Sequence, residues 1–162
     1  MLKRLSEHNK KIGDCIHDEN QYLHLIQDIL EEGDMVEGRN GFAKTIIGSA
    51  MHFSLENGTI PILTTKKVAW KTCLKELLWF MRGSTSNKEL QAENVKIWNG
   101  NASREFLDSR KLSHLEEGDL GPVYGHQWRH FNAYYKDCKE DYTGQGVDQL
   151  QYIIDNLKNP ET

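Results

Sequence analysis

The string LGPVYGHQWRHF, Leu120 to Phe131, gathers more chemically capable side chains than any other stretch of the chain. Two glycines and a proline fix the backbone at its front, and Tyr124, Gln127, Trp128, Arg129 and His130 crowd in behind. Such a string serves either as a structural corner or as part of a site. Glu76 is the second candidate. It borders the apolar stripe of a helix, one turn from Cys73 and Phe80, while Trp79 adds apolar surface opposite. A carboxylate there must find a partner or have its pKa raised, and a raised pKa suits a general acid or proton relay. The alternative is a glutamate that reaches solvent or pairs with Lys75 or Arg82. Arg39 sits between Gly38 and Gly41, where backbone can approach an anion and a guanidinium can grip phosphate with two parallel bonds. A solvated loop arginine is the competing explanation. Trp98 and Tyr124 are large aromatics in loop-like segments, for which core packing is the default account.

These residues must be positioned by the elements around them. A helix is expected from Asn20, because Tyr22, Leu25, Ile26, Ile29 and Leu30 recur at helical spacing and Gly33 supplies a stop. Residues 1 to 18 are polar and unpatterned, and are expected to form a mobile arm. The segment DMVEGRNGFAK, 34–44, is expected to be a loop around Arg39. In KTIIGSAMHFSL, alternation of Ile47, Ser49, Met51, Phe53 and Leu55 predicts a strand, with ENG at 56–58 as its turn. TIPILTTKK leads in extended form to a second helix, for which Thr64 or Thr65 is available as a cap. That helix covers about Val68 to Arg82, with Trp70, Cys73, Leu74, Leu77, Leu78 and Met81 as its stripe and Gly83 as its stop. A weaker helix is expected near 86–93. An irregular stretch from 98 to 146 must be ordered by tertiary contacts or a ligand. A last helix, DQLQYIIDNLK, precedes Pro160.

Composition narrows the class. The 162 residues suffice for one domain with a substantial core. A net charge of -4 gives no general attraction to nucleic acid or anionic membrane. No apolar run approaches the roughly 20 residues of a membrane span. The basic start, MLKRLSEHNKKIGD, lacks the apolar core of a secretory signal. Three widely spaced cysteines, Cys15, Cys73 and Cys138, read as reduced thiols of a cytoplasmic protein, and scattered histidines give no metal-ligand spacing.

Taken in order and separation, PILTTKK, KELLWF, KIWN and GDLGPVYGHQWRHF closely resemble thymidylate synthase. The similarity runs from about Gln21 to the C-terminus and includes the eukaryotic-looking SREFLDS and YTGQGVDQLQ. The resemblance implies an α+β fold, a mixed β-sheet flanked by helices, present here as the N-terminal part of the domain over 19–162. It implies reductive methylation of dUMP to dTMP, with 5,10-methylenetetrahydrofolate as co-substrate supplying carbon and hydride, no metal, and a homodimer. By residue, Arg39 matches the phosphate-binding arginine and Glu76 the glutamate that organises water and proton transfers. Tyr124 matches the tyrosine beside the pyrimidine. Trp98 and Asn101 match positions lining the folate pocket, Ile97 adds an apolar wall, and Lys66 lies where the family meets the glutamate tail of the folate.

Departures are equally specific. The loop that in the family usually reads DRTGTGT is GRNGFAKT here, with Gly38 in place of the acid and Lys44 new. Asn99 stands where an aspartate is usual. The family's nucleophilic cysteine, in a Pro-Cys-His setting, lies beyond the matched stretch, and neither Cys73 nor Cys138 has that context. The 162-residue chain alone is therefore expected to be inactive without a complementing C-terminal half. Two other readings compete: a non-catalytic remnant that binds nucleotide, folate or a partner, and a pyrimidine hydroxymethylase relative that ends its reaction with water in place of hydride.

Overall fold

The computed structural model describes residues 17–39 and 41–159. The chain divides into two compact units, Met1–Val68 and Ala69–Thr162. Most of the arm expected over 1–18 lies outside the described residues.

In the first unit, helix α1 spans Asn20–Glu32, as its spacing predicts, and ends at Gly33, whose N–H returns to the Ile29 carbonyl. Beyond it the expected loop is a hairpin. Strand β1, Asp34–Gly38, pairs antiparallel with β2, Gly41–Thr45, in the register Val36↔Ala43 and Gly38↔Gly41. Neither strand has a buried face, so there is no apolar alternation by which to read it. The signal that was there is glycine at either end of the connection, Gly38 and Gly41, with Gly41 at φ 108°.

The strand expected within KTIIGSAMHFSL is not formed: after β2 the chain runs irregularly to a single 3₁₀ turn, Glu56–Gly58, at the predicted ENG. Among the described residues its backbone is met by side chains of the α1 start instead of by a second strand. The Gln21 amide both accepts from His52 N–H (2.8 Å) and donates to His52 C=O (2.5 Å), copying the two bonds of a ladder partner. Asp18 accepts from Ser54 N–H at 2.8 Å. The only sheet among the described residues is thus the two-stranded hairpin, and the fold is an α+β mix of helices with a small antiparallel sheet.

The second unit opens with α2, Trp70–Met81, followed by α3, Asn87–Ala92, α4, Arg104–Ser109, α5, Tyr124–Arg129, and α6, Gln149–Lys158. Neither threonine caps α2; its N-terminal flank is Ala69, with no side-chain cap. Gly83 terminates the turn beyond α2 at φ 79°, a left-handed conformation that glycine adopts without steric cost. The core consists of Trp79, Leu90, Val95, Ala102 and Leu120, with Phe80, Trp98 and Val123 packed against it. The periodic stripe of α2 is therefore not its core face. Leu74, Leu77, Leu78 and Met81 remain exposed, while Trp79 on the other side is fully buried and donates its indole N–H to the Ser86 carbonyl.

The irregular stretch is ordered by tertiary contacts, many of them side chain to backbone. Asp119, 1% exposed, accepts from Gly121 N–H, Cys138 N–H and the Tyr135 hydroxyl, at 2.8, 2.8 and 2.6 Å. Because Tyr135 spends its one proton on Asp119, Thr85 donates to the Tyr135 oxygen, 2.9 Å away. Arg104 binds the Leu112 and Leu115 carbonyls, and paired Phe131 and Val147 bonds close the loop before α6. This accounts for 98–146 without long periodic elements.

Candidate functional site

Two residues one helical turn apart start the site. Glu76 and Phe80 lie at i and i+4 on α2 and so share a face. The Trp98 indole, carried on the turn after α3, donates its N–H to Glu76 Oε1 at 2.7 Å. Among the described residues this is the only hydrogen-bond partner of the Glu76 carboxylate, so Oε2 remains open to another donor. Glu76 is half-buried, and neither Lys75 nor Arg82 pairs with it. Lys75 instead donates to the Glu93 carbonyl at 2.7 Å, and Arg82 lies 3.8 Å from Glu89.

Phe80 is the hub of an aromatic group. Its ring centroid lies 5.1 Å from Tyr124, 6.4 Å from Trp98 and 5.6 Å from Trp128, each edge to face, and Trp98 and Tyr124 are 6.2 Å apart. Such arrangements place positive ring edges against negative faces. Sequence reading valued Glu76, Trp98 and Tyr124 separately and missed Phe80 as the side chain that joins them; the i, i+4 spacing from Glu76 was the available signal.

Gly125 allows this approach. A Cβ there would sit 2.5 Å from the Ser84 carbonyl oxygen and 3.2 Å from that of Phe80, so α5 can seat against the end of α2 only without a side chain at this position. Asp119 and Gly121 set the corner before it, and Gln127 donates to the Pro122 carbonyl. Arg129 pairs with Asp148 at 3.0 Å, fixing α6 behind the site. The opening string is therefore a corner that presents Tyr124, which is 55% exposed. Ile97 and Asn101, on either side of Trp98, are exposed as well.

Arg39 and Lys66 belong to the first unit. Arg39 is exposed at the β1–β2 turn. Lys66 is exposed, with its Nζ 5.9 Å from the centre of the Tyr22 ring. Asn99, the unusual residue after Trp98, accepts at Oδ1 from both Asn87 and Gln91, at 3.1 and 3.0 Å. An aspartate could accept the same two bonds, so the substitution leaves this local arrangement feasible.

Neither described cysteine has the setting of a nucleophile. Burial and the neighbouring Asp119 carboxylate push the Cys138 thiol up, which disfavours thiolate. Cys73 is exposed on α2, outside the aromatic group. Among the described residues no three acidic, histidine or cysteine side chains gather as a metal site. No helix among them is long and apolar enough to cross a membrane.

Comparison with known proteins gives these features a common origin. A family model described as thymidylate synthase matches residues 20–162. The thymidylate synthase of Homo sapiens is 54% identical over 147 residues, 90% of this chain and 47% of that protein. That of Candida albicans is 55% identical over 145 residues, covering 88% of this chain and 46% of its own length. The bifunctional dihydrofolate reductase-thymidylate synthase of Leishmania major is 50% identical over 146 residues, 28% of that longer protein. The chain spans about half the length of the curated thymidylate synthases it matches. It belongs to the thymidylate synthase family.

Proposed function

We propose that this chain contributes to the reductive methylation of dUMP to dTMP with 5,10-methylenetetrahydrofolate, as the N-terminal portion of a thymidylate synthase. The observation that carries the reading is the bond from Trp98 to Glu76 beside the exposed Tyr124 phenol. It holds one carboxylate oxygen fixed and leaves the other free next to an aromatic surface suited to flat rings. In this role Glu76 handles protons through bound water, Tyr124 faces the pyrimidine, and Trp98, Ile97 and Asn101 meet the folate. Arg39 takes the nucleotide phosphate and Lys66 the folate's glutamate tail. The working protein is a cytoplasmic homodimer, or an assembly with a C-terminal half that supplies the attacking cysteine.

Tritium release from C5-labelled dUMP in the presence of methylenetetrahydrofolate tests the reading. The 162-residue chain alone is expected to release none, and addition of a family C-terminal half carrying the Pro-Cys-His cysteine is expected to start release. Release by the chain alone that vanishes with Cys73→Ser or Cys138→Ser would overturn the assignment of both thiols as structural. Failure of a correctly assembled pair would favour a binding remnant.

A further inference from the structure

Within the first unit, one carboxylate is occupied by four donors, and its partners directly precede Lys66. Glu19 flanks the start of α1 and is 8% exposed. Its Oε1 accepts from Thr64 N–H at 2.6 Å, Thr65 N–H at 2.8 Å and the Thr65 hydroxyl at 2.8 Å. Its Oε2 accepts from the Thr64 hydroxyl at 2.6 Å. The bonds cross about 45 residues of sequence, so they define where TTKK lies relative to α1.

We infer that Glu19 is a positioning residue for an anion-binding segment: its carboxylate fixes the backbone of Thr64 and Thr65 so that Lys66 meets the anionic tail of the folate. The inference rests on the reading of Lys66 given above. A carboxylate suits the place because all four partners are donors and it offers acceptors only. One turn along α1, Tyr22 lies beneath the Lys66 ammonium, giving the side chain a second reference point on the same helix. Among the described residues Lys66 pairs with no carboxylate, so its charge is left for a ligand. The Thr64 hydroxyl foremost, then the Thr65 N–H, hold the Glu19 carboxyl down at about 2. The clamp is therefore ionised and intact at neutral pH, and its contribution is lost only as pH falls from the ordinary carboxylate range toward that value.

The test is titration of this chain assembled with a family C-terminal half, as in the tritium assay, with pteroylglutamates bearing one or several γ-linked glutamates, followed by tryptophan fluorescence. The parent is expected to prefer the longer tail by about fivefold, the scale of an exposed charge pair. Lys66→Ala should abolish that preference. Glu19→Ala should abolish it too, with the circular dichroism of the chain unchanged. Glu19→Gln should largely restore it, since an amide oxygen keeps three of the donors and Thr64 can turn its hydroxyl to accept from the amide nitrogen. If Glu19→Ala fails to fold, the Thr64→Val, Thr65→Val pair removes two donors without touching α1 and is expected to reduce the preference. Loss with Lys66→Ala but not with the clamp variants would overturn the positioning role alone. No tail preference in the parent, or one that survives Lys66→Ala, would overturn the role assigned to Lys66 and the inference with it.

Discussion

At the scale of single residues, Glu76 shows how a charged side chain survives on a helix with apolar residues on both sides. Sequence reasoning required a partner for it or a shifted pKa; the partner is the Trp98 indole. That bond also explains why Trp98 is ordered in a segment without regular structure. If Glu76 relays protons, Glu76→Gln in an assembly with a family C-terminal half should lower kcat on the order of 10²–10⁴-fold, because the amide keeps shape and acceptor but loses the titratable proton. Binding of dUMP should change far less. Arg39→Ala should do the reverse, chiefly raising KM, as expected when binding common to ground and transition states is removed. Steady-state kinetics on variants shown to assemble like the parent checks both; a Glu76→Gln enzyme with near-parental kcat would leave the carboxylate a structural partner of Trp98. With an ordinary explanation beside each, and a common role only through the resemblance of the longer motifs, Glu76, Trp98 and Tyr124 were marked in the sequence. Phe80 and Glu19 were not, since a phenylalanine in an apolar helix and a glutamate before a helix look ordinary until distant segments are placed against them.

At the scale of elements, α1 and α2 follow from helical spacing and glycine stops, whereas the hairpin shows locally only its two glycines and the 98–146 region depends on contacts that no local pattern encodes. The α5 helix shows the difference. Its motif was conspicuous, yet its inner face turns on His126, which is 1% exposed and boxed by His130, Tyr135 and Tyr142 at centroid distances of 5.8, 5.0 and 4.6 Å. Nε2 bonds to the Ala133 carbonyl at 3.2 Å, which makes it the protonated nitrogen and leaves buried Nδ1 without a partner among the described residues. Burial first, and His130 in smaller measure, lowers the His126 pKa. The unfolded chain then takes up a proton at a pH where the folded imidazole does not. The stability contributed by neutral His126 is full above the ordinary histidine value and is lost as pH falls from there toward the depressed folded value. His130 lies against the ring, and Asp141 in turn faces His130. His126→Phe keeps the ring packing and removes the titration. Thermal melts from about pH 7 to about pH 5 should show a shallower loss of Tm in the variant than in the parent, across the range where a free histidine titrates. Parallel slopes would mean that His126 does not limit acid stability.

At the scale of the whole molecule, the question is what the exposed apolar surface does. On α2, Leu74, Leu77, Leu78 and Met81 form one stripe at i, i+3, i+4 and i+7, each 44–46% exposed. On α6, Tyr152, Ile153, Ile154 and Leu157 are 43–78% exposed. Periodicity identified the α2 stripe, but spacing reveals an apolar face and not what covers it. Covering the exposed remainder of such a side chain is worth roughly 1 kcal/mol, about half the value of full burial. Summed over these eight, the gain is comparable with the lower estimates of the cost of association, roughly 4–15 kcal/mol. An apolar stripe left in water along a helix marks an interaction face. The 162-residue chain is therefore expected to self-associate, its mean mass in sedimentation rising from nanomolar to high micromolar concentration. Leu77→Glu and Ile153→Glu should each reduce that rise without altering the helical circular dichroism, since both side chains already lie about half in water. A C-terminal half of the family that covers the same faces should compete with self-association, so adding it ought to replace the polydisperse species with one of defined mass. Leu77→Glu should weaken that replacement as well. A chain that stays strictly monomeric throughout, with a cooperative melt and no binding of apolar dye, would show that these stripes are stable in water and that no partner is required to cover them.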